Sequence, residues 1–254
     1  MLDGHVSIAA AIAGVIILVF VVLILKRTYQ YRSRRHSTIL LVGPSGAGKT
    51  TIFLRLSQNG DASKQHPALT TVASMQPNES KVILSGHGNA NSNSTSNVHV
   101  VDIPGHPRLK GFFDSYVNRA RGIVFVIDSV NFKPKNSEAA EQLYDVLVHP
   151  VVAGRRIPIL IACNKVDEGP RAHTVDFIRK RLEKEMDELR GTRGPLEGGD
   201  VVPALSKVPF TFEGYWKPLR TKKGQPHRVT FAAVSALDVG GLMEVERFIE
   251  RYIH

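Results

Sequence analysis

One cysteine, Cys163, stands in 254 residues. That excludes an intramolecular disulfide and is compatible with a reducing compartment. Its neighbours Ile159, Leu160, Ile161 and Ala162 are apolar, so the thiol reads as a buried strand residue, inert rather than catalytic. Acids are in short supply too: 23 Asp and Glu stand against 33 Lys and Arg, a net charge of +10 that suggests an anionic partner or surface. The imbalance is concentrated, since Lys26, Arg27, Arg32, Arg34 and Arg35 fall within ten positions that hold no acid. A nucleic-acid reading needs a basic face interleaved with aromatics or a reading helix. The cluster's place beside an apolar run gives it a simpler explanation, and no direct nucleic-acid binding is expected. No internal repeat is present, which argues against solenoid and propeller architectures.

Charge is missing altogether from Val6 to Leu25, where twenty residues hold one hydroxyl, Ser7. As a helix this run is about 30 Å long, the thickness of a hydrocarbon core. It is apolar all round, so the expectation is a transmembrane helix over 6–25 rather than a helix lying on the surface. A cleaved signal peptide is the rival reading. Asp3, the lack of Lys or Arg before the run and the basic cluster after it weigh against that rival. The basic side is then cytoplasmic, with 1–5 on the far side and 26–36 a basic juxtamembrane linker. The linker either touches anionic headgroups, at about 1 kcal/mol per basic residue, or is a stop-transfer flank and nothing more.

Beyond the linker the chain is organised around Gly43-Pro44-Ser45-Gly46-Ala47-Gly48-Lys49-Thr50. The apolar run Thr38–Val42 precedes it and Thr51–Leu56 follows with helical character, giving the strand, glycine-rich loop and helix of a phosphate-binding loop. Glycines let successive N–H groups turn inward toward a polyphosphate, and the helix N-terminus adds partial positive charge. Lys49 would reach the terminal phosphates and the Thr50 hydroxyl would sit on Mg²⁺.

The remainder alternates strand and helix, the pattern of an α/β domain with a mostly parallel sheet. Residues 57–76 read as loop. Lys81–Leu84 and Val98–Val101 read as a hairpin around a polar, low-complexity excursion over 85–97. Asn78 and Asn93 match the glycosylation acceptor pattern, but with the domain cytosolic both stay bare. Gly122–Asp128 and Ile157–Cys163 read as buried strands, with helices over 137–148 and from Val175 to about Arg190. Residues 191–228 read as an irregular insertion pinned by Phe210, Phe212, Tyr215 and Trp216. A last strand over 228–234 and an amphipathic C-terminal helix complete the chain.

Three short segments follow strands. Asp102-Ile103-Pro104-Gly105 supplies a carboxylate for the water shell of Mg²⁺ and a glycine whose N–H can approach a γ-phosphate. In Asn164-Lys165-Val166-Asp167 the Asp167 carboxylate matches the paired donors of guanine, N1–H and N2–H₂; adenine offers an acceptor at N1 and is rejected. Ser235-Ala236-Leu237 places a backbone N–H where it can read guanine O6.

In this order the four segments resemble the Ras-like small GTPase superfamily over 37–254. The resemblance implies a P-loop fold with a six-stranded, mostly parallel sheet in the order 2-3-1-4-5-6, flanked by helices and preceded here by one transmembrane helix. Within the superfamily the chain is similar to the beta-subunit family of the signal recognition particle receptor. The features that carry this are the single N-terminal anchor, Asp102-Ile103-Pro104-Gly105-His106, Ile161-Ala162-Cys163-Asn164-Lys165, and Leu182–Arg190 with Thr192-Arg193 leading into a variable insertion.

The resemblance implies GTP or GDP with Mg²⁺ as ligands, held by Gly43 to Thr51, Thr71, Gly105, Asn164, Lys165, Asp167, Ser235 and Ala236. Thr50 and Thr71 would ligate the metal, with Asp102 acting through water. Thr71 is implied as the switch I threonine, with Thr70 as its alternative. Gly105 would anchor switch II. His106 stands where many small GTPases carry a glutamine: it either orients the attacking water or contacts the partner while hydrolysis stays slow. No intrinsic arginine finger is assignable.

The implied partner is the receptor's alpha subunit, bound through the switch segments. The implied setting is the endoplasmic reticulum membrane, with 1–5 lumenal and with the signal recognition particle, ribosome and translocon as indirect partners. An Arf- or Sar-type coat GTPase is the alternative. That class attaches through a myristoylated glycine after the initiator methionine, or through an amphipathic helix, whereas Leu2 and a full-length apolar run stand here.

Overall fold

The structure, a computed structural model, describes residues 38–58, 74–85, 95–106, 111–193, 211–212, 229–238 and 240–253, together with Phe20. The chain divides into two units, Met1–Ser37 and Thr38–His254, and all the elements below belong to the second. No helix among the described residues is long and apolar enough to cross a membrane. The expected span over 6–25, apart from Phe20, lies outside the described residues, as do the ends 1–5 and the linker 26–36.

Six strands make one sheet: β1 (Thr38–Val42), β2 (Asn78–Ser85), β3 (Thr95–Asp102), β4 (Ala120–Asp128), β5 (Ile159–Asn164) and β6 (Val229–Ala233). Their order is β2-β3-β1-β4-β5-β6. Only the β2–β3 pair is antiparallel. The mostly parallel character is what the alternation of strands and helices predicts, and the order is the one that the family resemblance implies. The central strands are apolar at every inward position on both faces because both faces are covered.

Alternation along each strand sorts the core into two layers. Leu40, Ile123, Phe125 and Ile161 pack against helices α2 (Gly111–Val117), α3 (Phe132–Val148), α4 (Pro150–Arg155) and α5 (Val175–Arg193). Ile39, Leu41, Val124 and Val126 pack against α1 (Lys49–Gln58) and α6 (Met243–Ile253). Cys163 is wholly buried, and burial pushes its thiol up to about 12 against a weaker pull from Arg179. It is inert, as its apolar neighbours suggest.

Several boundaries differ from the sequence reading. The hairpin strands run further into the polar segment, with Ile83 opposite Asn97, Leu84 opposite Ser96 and Ser85 opposite Thr95. Backbone pairing needs no apolar side chains, so composition alone cut these strands short; residues 86–94 lie outside the described residues. Helix α3 begins at Phe132, not near Ser137. Pro134 falls in its first turn, where a missing N–H has no partner to lose. Helix α5 continues to Arg193, so 191–193 belong to it and not to the insertion. Of the four aromatics expected to pin the insertion, Phe212 is described. It is buried in the core, edge-on to Phe231 with ring centroids 5.0 Å apart. Helices α2 and α4 were not expected, being too short to show a helical period.

Candidate functional site

The C-terminal ends of β1, β3, β4, β5 and β6 lie along one edge of the sheet, and each expected segment follows one of them. The turn after β1 begins at Gly43, with φ 136°. A Cβ there would lie 2.2 Å from the Val126 carbonyl oxygen, so only glycine fits. Gly48, with φ 93°, is closed off in the same way by the Asn164 amide, 2.2 Å from where a Cβ would stand. Helix α1 starts at Lys49. Its ammonium is buried and donates to the carbonyls of Gly43 (2.8 Å) and Pro44 (2.9 Å), within its own loop. Burial lowers the Lys49 pKa to about 8, against the upward pull of the Asp102 and Glu138 carboxylates. Thr51 sits half-buried one residue after Thr50.

Asp102, at the end of β3, is wholly buried. Its Oδ2 accepts hydrogen bonds from Thr50 Oγ1 (2.7 Å) and Asn78 Nδ2 (3.2 Å). Its Oδ1 is buried with no hydrogen-bond partner. Burial raises its pKa, although the bonds from Thr50 and Asn78 and the charge of Lys49 pull it down. A carboxylate oxygen left unpaired beside a threonine hydroxyl is a donor set that suits a hard divalent cation. Ser74 Oγ lies 3.2 Å from Thr50 Oγ1, and Ser45, Lys49, Thr50, Ser74, Asp102 and His106 line one cleft. Thr70 and Thr71 lie outside the described residues.

Gly105 comes closer to the loop than the sequence suggests. A Cβ on it would lie 2.5 Å from the Gly43 carbonyl oxygen, 2.6 Å from Lys49 Nζ and 2.7 Å from the Ser45 nitrogen. Gln142 Nε2 on α3 donates to the Gly105 carbonyl (3.3 Å). His106 is exposed and borders both this cleft and a cavity of ≈ 330 Å³ between the segment after β3 and helices α2 and α3.

The other end of the edge is built on Asn164. Its Nδ2 donates to the Ala47 carbonyl (2.9 Å), and its Oδ1 accepts from the Ala236 N–H (3.1 Å). One side chain therefore ties the loop after β1 to the loop after β6. Of the backbone N–H groups in Ser235-Ala236-Leu237, one of which was expected to read guanine O6, that of Ala236 bonds to Asn164 and that of Leu237 to Ser235 Oγ. Ser235 Oγ donates to Asp167 Oδ1 (2.8 Å) and accepts the N–H groups of Leu237 (3.3 Å) and Asp238 (3.0 Å). Asp167 itself is exposed. Lys165 adopts a left-handed backbone, φ 68°, and its ammonium lies 2.7 Å from Asp128 Oδ2.

The structure thus gathers Gly43 to Thr51, Asp102, Gly105, His106, Asn164, Lys165, Asp167, Ser235 and Ala236 along one edge. It adds residues that the sequence reading passed over. Asn78 and Ser74 are second partners of Asp102 and Thr50. Arg55 on α1 donates to the carbonyls of Leu237 (3.0 Å) and Asp238 (3.1 Å), holding the loop after β6. Asp128 partners Lys165. The one available sequence signal was positional: Asp128 ends the apolar run Gly122–Ile127, and in a parallel sheet such ends line up, here opposite Asn164.

A family described as signal recognition particle receptor beta subunit matches residues 34–197. The rat signal recognition particle receptor subunit beta is 32% identical over 223 residues, covering 85% of this chain and 76% of the rat protein. The human counterpart is 33% identical over 223 residues, covering 85% and 74%. Among solved structures, that of the mammalian SRP receptor matches with a TM-score of 0.63 at 28% identity, over 85% of this chain and 100% of that one. The fold is that of the small GTPases, the family implies guanine-nucleotide binding, and the chain belongs to the signal recognition particle receptor beta-subunit family.

Proposed function

We propose that this chain is the GTP-binding subunit of a signal recognition particle receptor at the endoplasmic reticulum membrane. On this reading 6–25 roots it as a single pass, with 1–5 lumenal, 26–36 a basic linker and 37–254 a cytosolic GTP-binding domain. In its GTP state it holds the receptor's alpha subunit, and through it recruits the particle and ribosome to the translocon. The observation that carries the nucleotide reading is Asn164. It bonds to both the loop after β1 and the loop after β6, which supports one ligand lying along the sheet edge with its phosphates at the first loop and its base near the second.

The division of labour follows from the chemistry. The N–H groups of Gly43 to Gly48 and the start of α1 would bind polyphosphate oxygens, with Lys49 turning from its loop carbonyls to them. Thr50 and Thr71 would hold Mg²⁺, with Asp102 acting through water; the ion would supply charge neutralisation to the polyphosphate. Asp167 would select guanine through its paired donors, and Lys165 would lie along the ring. Gly105 and a third phosphate compete for the same place against Ser45 and Lys49. The segment after β3 therefore differs in position between the two nucleotide states, and a partner binding this segment and switch I reads that difference. His106 would orient water if it swings inward.

Purification of the full chain in detergent, with identification of bound nucleotide and associated protein, tests this reading. Guanine nucleotide and a large receptor subunit should be recovered together, and both should be lost from a Thr50→Asn variant. Retention of that subunit by a variant shown to be empty would remove the GTP clamp. Carbonate extraction tests the anchor, because a coat GTPase comes off the membrane and a spanning subunit does not.

A further inference from the structure

We infer that Asp128, which lies outside all four nucleotide-binding segments, is a positioning residue that sets Lys165 for contact with the base. The inference rests on the guanine-nucleotide reading above. Strand β4 ends at Asp128 and β5 at Asn164, and the two residues are register partners in the sheet. Lys165, the next residue, stands at a left-handed φ of 68°. That conformation is uncommon for a residue with a Cβ and persists where surroundings impose it.

What surrounds Lys165 is a carboxylate fixed from several sides. Asp128 Oδ1 accepts the N–H groups of Val130 (2.9 Å) and Asn131 (3.0 Å), and its Oδ2 accepts Asn131 Nδ2 (3.0 Å) and Lys165 Nζ (2.7 Å). The Asp128 side chain is 11% exposed and that of Lys165 34%. Burial pushes the Asp128 carboxyl up, but the bonds from Lys165 and Asn131 outweigh it and hold it below the usual carboxylate range. It is therefore a charged, immobile anchor at neutral pH.

A lysine whose head is free samples many rotamers, and ordering it against a ligand costs that freedom. With head and backbone both fixed, its methylene stem becomes a rigid apolar strip two residues from Asp167. A purine whose edge is read by Asp167 meets that strip with its face. The contact is dispersive and does not depend on ring substituents. Asp167 supplies selectivity; Asp128 and Lys165 together supply retention.

The test is a double-mutant cycle on release of a fluorescent GDP from the full chain in detergent, using Asp128→Asn, Lys165→Met and the pair. The amide of the Asp128→Asn variant keeps an oxygen for the two backbone N–H groups and replaces Oδ2, the acceptor of Asn131 Nδ2 and Lys165 Nζ, with an N–H donor that cannot hold the lysine. Lys165→Met leaves the turn at Asp128 intact, so a folding defect of one variant cannot imitate the other. Each single variant is expected to release GDP about tenfold faster, and the pair no faster than Lys165→Met alone. The same factor is expected for inosine diphosphate, which lacks the 2-amino group. Release from the pair at the product of the two single factors would overturn the inference, as would a wild-type rate for Asp128→Asn. A full chain that binds no guanine nucleotide would instead remove the functional reading beneath it.

Discussion

The two ends of the sheet edge differ in how their polar groups are satisfied. At the base end, Asp167 is bonded to Ser235, Asn164 bridges Ala47 and Ala236, and Lys165 is paired with Asp128. At the phosphate end, Asp102 keeps a buried oxygen with no partner, and Lys49 is a buried ammonium whose pKa burial lowers to about 8. The base end is held by its own side chains, so that Asp167 would meet a purine by its edge and Lys165 by its face. The phosphate end holds charges in a low-dielectric place that an anion and a cation together would relieve. Preorganisation at one end and stored electrostatic cost at the other are two routes to affinity, and they respond differently to mutation.

The largest expected effect comes from removing the stored charge. Lys49→Met should lower GTP affinity by a factor on the order of 100 or more, since charge-assisted contact with the terminal phosphates is lost. The same change should raise the melting temperature of the nucleotide-free chain. A depression from 10.5 to about 8 corresponds to roughly 3 kcal/mol of charge-burial cost at about 1.4 kcal/mol per unit. Binding measured by calorimetry and unfolding followed without nucleotide check both halves. A variant destabilised in both would erase the contrast between the two ends.

At the base end the expected effect is a change of choice. Asp167→Asn should shift preference from guanine toward xanthine nucleotides, whose 2-oxo group suits the amide, by a factor on the order of 100 in the ratio of affinities. Its melting temperature should stay close to that of the parent, because Asp167 is exposed and Asn can still accept from Ser235. Competition between GTP and XTP measures the ratio; an unchanged ratio would take Asp167 out of the base site.

The contrast was only half legible in the sequence. The phosphate loop and the three strand-end segments are local patterns of glycine, Asp, Asn and Ser after apolar runs, and spacing carries them; the sheet order came only through the family resemblance those segments support. Asp128 as partner of Lys165, Asn78 as partner of Asp102, and Arg55 on the Leu237 carbonyl join residues 37, 24 and 182 positions apart. No period or motif encodes a contact that exists only once the sheet has assembled. The close approach of Gly105 to Lys49 was hidden for the same reason, since a Gly in Asp-x-x-Gly says nothing of what stands opposite. Helices α2 and α4 escaped because one or two turns leave no periodic signature.

The pH response sharpens the comparison further. In the free protein Lys49 loses its proton near pH 8, whereas the unfolded chain keeps it up to about 10.5. The burial penalty is therefore fully present below about pH 8, and the free fold gains stability as pH rises from there toward 10.5. A bound polyphosphate holds the proton on Lys49. GTP affinity should then be flat below about pH 8 and fall above it, approaching tenfold per unit, in titrations at fixed Mg²⁺. The fall should be absent in Lys49→Met and present in Asp167→Asn. A fall of equal slope in Lys49→Met would assign the proton elsewhere.

The smallest effect is expected at Asn78, and it separates the metal from the phosphates. Its amide donates to Asp102 Oδ2 from the edge strand β2, a bond that favours the charged carboxylate and pulls its pKa down against burial. Asn78→Ala removes that bond and leaves Thr50 as the remaining donor to Oδ2. Asp102 then shifts further toward its neutral form, which holds a hydrated cation poorly. Half-saturation by Mg²⁺, read from nucleotide release across a metal titration, should rise severalfold. Affinity at saturating Mg²⁺ should recover to near the parent value, because the loop, Lys49 and the base end are untouched. A loss that saturating metal does not repair would mean that Asn78 supports the loop itself, and Asp102 would no longer be the group through which β2 reaches the site.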